Sequence, residues 1–330
     1  MKPFEYAAPQ TEAQVLELLS HQPGHTEILA GGTDLVGLMQ QSIVAPQRVV
    51  NILEVPSLKD IEPLDDGVIA IGAAVTLDVV LDSPYLDPYP SIKDAIRGIA
   101  SMQLQCQGTL GGEVLQRPQC WFYRSGKGLL AAGGQAVEEG DNRFHAIFGN
   151  SGAAKFVHAS RIAPALIALG AQVRVIGPGE EDEKYVSVES LFRTPRHEAE
   201  RETTLGPQQL VTHILLPAAD GIASATYEVR HGEGPDYPLA SAAVVLRIED
   251  GIVREAQVVL GHVAPTPWVS QAAADALIGW RIDENSAAAA GAAAVASATP
   301  LSNNGYKVQL ARTAVKRAVL RAAGLETGGF

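Results

Sequence analysis

The sequence predicts an α+β fold, and three observations carry that prediction. The first is the order of patterns at the start of the chain, where apolar runs of strand length alternate with a glycine turn and helix-period segments, an α/β or α+β organisation. The second is Glu249-Asp250-Gly251, a hairpin signal between two runs of alternating apolar residues. The third is the length of 330 residues, more than one domain usually holds. Two domains are therefore expected, 1–219 and 220–330, joined at Pro217-Ala218-Ala219-Asp220-Gly221.

Taken in order, Thr11 and Gln14 have capping-box spacing before Val15, Leu16, Leu18 and Leu19, which predicts a helix over 11–20. Glu27-Ile28-Leu29-Ala30 reads as a strand that runs into Gly31-Gly32-Thr33-Asp34, and Leu35 opens the next helix. Strands follow over 48–52 and 68–72, then one helix over 89–105 and a second glycine turn, Thr109-Leu110-Gly111-Gly112. The stretch 116–149, rich in glycine and aromatics, reads as a long loop, and loops of that length in compact domains are usually functional or relics of something bound. A helix near 162–169 and a strand over 172–176 lead to the linker. Beyond it come strands over 222–230, 239–248 and 252–261, then helices near 268–278, 286–298 and 304–323. The alanine-rich run 287–298, with Ser286 as its expected cap, reads as a closely packed helix.

Composition excludes several classes. With 25 basic against 37 acidic side chains the net charge is −12, which repels phosphate backbones and argues against nucleic-acid binding. No stretch has the length and apolarity for direct membrane insertion. Met1-Lys2-Pro3-Phe4-Glu5-Tyr6 has no secretory pattern, so the cytoplasm is the expected compartment, with the periplasm open through co-export on a signal-bearing partner. Cys106 and Cys120 are the two cysteines, too few for a disulfide framework, a zinc finger or an iron–sulfur cluster. The histidines form no metal-binding pair, and Arg193, Arg196, His197 and Arg201 among Glu198, Glu200 and Glu202 read as a solvated face.

The glycine turns carry the chemistry. Without side chains, backbone N–H groups can approach a phosphate closely, and the following helix adds attraction. Thr33 offers a hydroxyl, and Asp34 a helix cap or a ribose contact. Neither turn has Rossmann or P-loop spacing. Two glycine pairs, each beside a threonine, suit the clamping of a diphosphate from two sides.

Ile28-Leu29-Ala30-Gly31-Gly32-Thr33-Asp34-Leu35 resembles the first flavin loop of the FAD-binding subunits of molybdenum hydroxylases. That family includes xanthine dehydrogenase, carbon monoxide dehydrogenase and aldehyde oxidoreductases. Gln107-Gly108-Thr109-Leu110-Gly111-Gly112 resembles the second loop, and His158-Ala159-Ser160-Arg161-Ile162-Ala163-Pro164 a third motif. Tyr306-Lys307-Val308 resembles the carboxy-terminal domain. Gln116-Arg117, Cys120 and 142–149 resemble the bacterial periplasmic aldehyde oxidoreductase branch, in which this loop holds an additional [4Fe–4S] cluster. The resemblance implies a two-subdomain FAD domain of the p-cresol methylhydroxylase type followed by a smaller α+β domain. It also implies a role as the flavin electron relay between the [2Fe–2S] clusters of a small subunit and an external acceptor. Substrate would be oxidised at the molybdenum cofactor of a large subunit. The residues implied to hold FAD are Leu29, Ala30, Gly31, Gly32, Thr33, Asp34, Leu35, Thr109, Leu110, Gly111 and Gly112. No catalytic acid, base or metal ligand is assigned.

Against the family pattern, Glu113 stands where asparagine is usual, Gln105-Cys106 replaces Arg-Asn, and Arg161 follows Ser160 in place of aspartate. Glu228 and Gly232 stand where basic residues are common. Only Cys120 lies in the cluster loop, so no [4Fe–4S] cluster is expected in this chain. Two expectations follow. Either Arg161 pairs with Glu113 and FAD is retained, or the chain is a structural subunit that has lost both FAD and the cluster.

Overall fold

The computed structural model describes residues 1–232, 234 and 236–327, so residues 328–330 of the expected second domain lie outside the described residues. Its elements form three sheets. The first is small and parallel, ordered β1 (Glu5–Ala7), β3 (Arg48–Asn51), β2 (Thr26–Leu29). It carries α1 (Glu12–Leu18) and α2 (Leu35–Gln40). Thr11 Oγ1 accepts the Gln14 N–H at 3.2 Å, and Val15 is driven fully into the core.

A five-stranded antiparallel sheet follows, ordered β4 (Ile61–Pro63), β5 (Ile69–Gly72), β8 (Leu210–Leu216), β6 (Gln172–Ile176), β7 (Lys184–Ser187). Between β5 and β6 lie α3 (Leu77–Asp82), α4 (Pro90–Arg97), α5 (Met102–Gln107), α6 (Leu110–Val114), α7 (Trp121–Arg124), α8 (Gln135–Glu139) and α9 (Ala163–Ala168). The third sheet is antiparallel, ordered β12 (Trp268–Val269), β11 (Ile252–Gly261), β10 (Ala240–Glu249), β9 (Ile222–Val229). Its β10–β11 turn places Asp250 and Gly251 at φ 52° and 77°, the double left-handed conformation of a tight hairpin. Three helices, α10 (Gln271–Asp275), α11 (Glu284–Ala294) and α12 (Tyr306–Ala322), complete the chain.

One apolar core joins the two larger sheets. It runs from Ile71, Val173 and Ile214 through Ile92, Ile96 and Leu166 to Ala243, Val245 and Val259. A second core forms where the small-residue face of α11 meets α12; a Cβ on Gly291 would lie 2.5 Å from the Arg312 carbonyl, so these helices need glycine at that crossing.

The α+β class is as the sequence predicts, and several elements differ in detail. The helix expected over 89–105 breaks at residues 98–101, where Ser101 Oγ caps α5 by accepting the Leu104 N–H at 3.3 Å. A Cβ on Gly98 would lie 2.3 Å from Glu228 Oε2, so the break makes room for a side chain from the third sheet. The expected loop at 116–149 contains α7 and α8. The helix expected from 268 begins as β12, and α10 starts after Ser270 caps it. Asp283, rather than Ser286, caps α11; it accepts the N–H groups of Asn285 and Ser286 at 2.8 Å, while Ser286 Oγ accepts the Asp283 N–H at 2.9 Å. Strands β1, β4, β7 and β8 have no counterpart in the sequence reading. No helix of the described residues is long and apolar enough to cross a membrane.

Candidate cofactor site

The first glycine loop leaves β2, whose register sets Leu29 opposite Asn51. The chain turns through Gly32 at φ 72°, where L side chains are strained. A Cβ on Gly31 would lie 1.8 Å from the Gln107 carbonyl oxygen, so glycine is required for this approach. Gln107 Nε2 donates to the Gly31 carbonyl at 3.0 Å and fastens the segment ahead of the second loop to the first. The amides of Gly32, Thr33 and Asp34 donate to no group of the chain among the described residues. Asp34 does not cap α2; its carboxylate accepts the Arg117 N–H at 2.8 Å and pairs with Arg124 at 2.7 Å.

The second loop is built differently from the strand-end turn the sequence suggests. It follows α5 and opens α6, with Thr109 as cap: Thr109 Oγ1 accepts the Gly112 N–H at 3.2 Å. Leu110 N donates to Val75 O at 2.8 Å and Gly111 N to Ala73 O at 2.9 Å. A Cβ on Gly111 would meet Ala73 Cβ at 2.7 Å, so glycine here allows the helix to lie on the backbone that continues from β5.

Both loops face one cavity of about 460 Å³. Ala30, Gly31, Gly32, Thr33, Asp34 and Leu35 line it, as do Thr109, Gly111 and Gly112. Leu29 lies behind Gly32, and Leu110 is fully buried in the main core; neither is part of the wall. Leu38, Val44, Ile52, Leu115, Leu205 and Leu210 make the rest of the lining largely apolar. The cavity thus combines open backbone donors at one edge with apolar walls, a shape suited to a ligand with an anionic middle and flat apolar parts.

Arg193, Arg196, His197 and Glu198 are exposed, as expected of a solvated face, but the end of the run 193–202 turns inward. Arg201 pairs with Glu27 at 3.0 Å, Glu202 is buried against Arg117, and Arg201 and Glu202 both line the cavity. Glu198 accepts the N–H groups of Leu129 and Leu130 at 2.8 and 3.0 Å, which pins the long loop. No spacing in the sequence marks these residues, because every partner lies far away along the chain.

The aromatic run in the long loop is an anchor. Trp121 meets Phe144 edge-on at 5.3 Å, and Tyr123 is buried between Arg117 and Arg124. Cys106 and Cys120 are both free, the first exposed and the second buried with Sγ 3.1 Å from His145 Nε2. Burial pushes the Cys120 thiol up and holds His145 down at about 4 and His158 at about 3. Among the described residues no three His, Cys, Asp or Glu side chains are grouped to hold a metal.

Glu113 does not face the cavity. Its Oε2 accepts the Ser160 hydroxyl at 2.5 Å and its Oε1 the Arg161 N–H at 2.7 Å. The expected pairing of Arg161 with Glu113 is therefore made by the backbone, while the guanidinium reaches Glu228 at 3.0 Å. Burial pushes the Glu113 carboxyl up, and Glu228 up to about 7, against the pull of Arg161.

The family described as the FAD binding domain in molybdopterin dehydrogenase matches residues 2–219, and the CO dehydrogenase flavoprotein C-terminal domain matches 225–322. The aldehyde oxidoreductase FAD-binding subunit PaoB of Escherichia coli is 32% identical, covering 94% of this chain and 96% of that protein. The carbon monoxide dehydrogenase medium chain of Afipia carboxidovorans is 27% identical, covering 97% and 96%. Among solved structures, quinoline 2-oxidoreductase from Pseudomonas putida superposes with a TM-score of 0.76 at 22% identity, over 98% of this chain and 99% of that one. Carbon monoxide dehydrogenase from Hydrogenophaga pseudoflava gives 0.75 at 25% identity, with the same coverage. With two glycine loops on one cavity and matches along nearly its whole length, the chain belongs to the FAD-binding family of molybdopterin dehydrogenases.

Proposed function

We propose that this chain is the FAD-binding electron-transfer subunit of a heteromeric molybdenum hydroxylase, and that FAD lies in the cavity shared by the two glycine loops. The observation that carries the placement is the convergence on one wall of residues 30–35 with Thr109, Gly111 and Gly112. The residues fit the group. Open amides at Gly32, Thr33 and Asp34 suit the diphosphate, and glycine at 31 lets the two loops close on one another beside it. The apolar walls suit the ring systems. Leu29 and Leu110 support the loops from behind. When bound, the isoalloxazine accepts electrons and passes them on, and the protein holds and tunes it.

The partners are a large subunit with the molybdenum cofactor and a small [2Fe–2S] subunit, a reading supported by relatives that are medium chains of oxidoreductases. The division into domains is placed at 219/220. An exposed free thiol at Cys106 suits a reducing compartment, so the cytoplasm is the proposed location; recovery from the periplasm with a signal-bearing partner would replace it. The structural-subunit alternative drew on acidic residues at the flavin site. Glu113 is turned toward Ser160 and Glu228 toward Arg161, which removes that objection to FAD.

Flavin content tests the proposal. The purified full chain or complex is expected to release about one FAD per chain on denaturation. A folded, colourless protein that takes up no added FAD would leave the structural subunit as the function.

A further inference from the structure

Four residues that lie off the cavity wall connect the second glycine loop to the third sheet. Glu113, 8% exposed, sits near the end of α6. It gathers the Ser160 hydroxyl, the Arg161 amide and the Gln116 side-chain amide at 2.5, 2.7 and 3.1 Å. Ser160 Oγ in turn accepts the N–H groups of Ile162 and Ala163 at 3.2 and 3.0 Å, so one hydroxyl ties α6 to the start of α9. The Arg161 guanidinium donates to the Gly98 carbonyl at the break after α4, to Asp236 O, and to Glu228 Oε2 on β9. Arg230 also donates to Gly98 O, at 2.9 Å, but stands 4.0 Å from Glu228. Glu228 Oε1 has no hydrogen-bond partner among the described residues. Arg161 thus joins two buried carboxylates, its neutral backbone N–H bonding Glu113 and its guanidinium pairing with Glu228.

We propose that Glu113, Ser160, Arg161 and Glu228 form one buried strut that positions the second glycine loop for the flavin, a role that rests on the FAD reading above. Buried charges hold a geometry only while each is paired, and deleting one partner strands the others. The strut crosses from α6 through the start of α9 to β9, so the seat of Thr109, Gly111 and Gly112 is fixed by residues outside the cofactor cavity. The substitutions that look adverse one at a time compensate one another as a set.

The test uses the full chain with three variants, Arg161→Gln, Arg161→Lys, and Arg161→Gln combined with Glu228→Gln. FAD affinity is read by fluorescence titration, and amide hydrogen exchange at 109–115 and 29–35 is followed in the FAD-free chain. Arg161→Gln is expected to weaken FAD about tenfold and to speed exchange at 109–115 while leaving 29–35 unchanged. Arg161→Lys is expected to fall between it and the wild type. Adding Glu228→Gln is expected to restore about threefold of the lost affinity by removing the stranded charge. Unchanged affinity and exchange, equal loosening of both loops, or no gain from Glu228→Gln would each overturn the strut. If Arg161→Gln does not fold, Glu113→Gln serves, with the same direction expected at 109–115 and the same overturning result. A wild-type chain that takes up no FAD refutes the functional reading instead, and the exchange measurement still decides the strut.

Discussion

The two glycine loops look alike in sequence and behave oppositely in structure. In the first, Gly32 supplies a left-handed turn and the amides of residues 32–34 remain open. In the second, every amide from Leu110 to Gly112 is already bonded within the chain, and Gly111 serves to dock α6 on Ala73. One loop presents donors; the other presents a smooth wall. A glycine pair beside a threonine therefore names a place where backbone comes close, without saying whether the close neighbour is a ligand or the protein itself.

Substitutions can break that contrast, and the largest effect is expected where the loops touch. Gly31→Ala would drive a methyl group into the Gln107 carbonyl, and the expected cost is about 3 kcal/mol in unfolding free energy, together with loss of flavin. Thermal and denaturant unfolding of the flavin-free chain would measure it, and a neutral substitution would mean that the loops separate easily.

Next comes the wall the loops share. His158 packs edge-on against Phe192 at 4.4 Å, just ahead of the segment that lines the cavity. Burial holds its pKa near 3, against about 6.5 when unfolded, so the fold favours the neutral ring. That stability is fully present above about pH 6.5 and is lost as pH falls toward 3. A drop of one pH unit within that window, as from about 5.5 to about 4.5, is expected to cost about 1.4 kcal/mol, and His158→Gln should remove that difference in denaturant titrations at the two pH values.

Gly32→Asp sharpens the contrast more directly. Its left-handed φ implies a stability cost of about 1 kcal/mol, yet the added carboxylate beside the open amides is expected to abolish flavin occupancy. Retained flavin would move the diphosphate away from the first loop. The smallest effect is expected at Thr109→Ala, which removes the α6 cap for about 1 kcal/mol and weakens flavin only through the shifted helix. Loss of flavin as complete as that of Gly32→Asp would show that the second loop also donates.

The first loop was legible because its signals are local: a strand, two glycines and a helix within a few residues. Strand β8 was not, since Thr212 and His213 interrupt its apolar run and its partners are β5 and β6, far upstream. Within 193–202, where most charged residues do face solvent, the contacts of Glu198, Arg201 and Glu202 were hidden for the same reason. Glu198 answers to Leu129 and Leu130, Arg201 to Glu27, and Glu202 to Arg117, and no local pattern encodes such pairs. Glu113 stood out as a charge in an unsuitable place. Its partner Arg161 was foreseen from the sequence, but the fold makes that contact through the Arg161 N–H and adds the Ser160 hydroxyl.

The pairing of Ile69 with Leu216 has a consequence for biogenesis. Strand β5 is synthesised early and waits for β8, while the second loop, the third motif and the long aromatic segment are all made in between. Closure across so long a span is entropically slow. An emerging chain would therefore finish its first loop on the ribosome but could not complete the cofactor chamber until translation had passed β8, making FAD capture a late event in the life of the polypeptide.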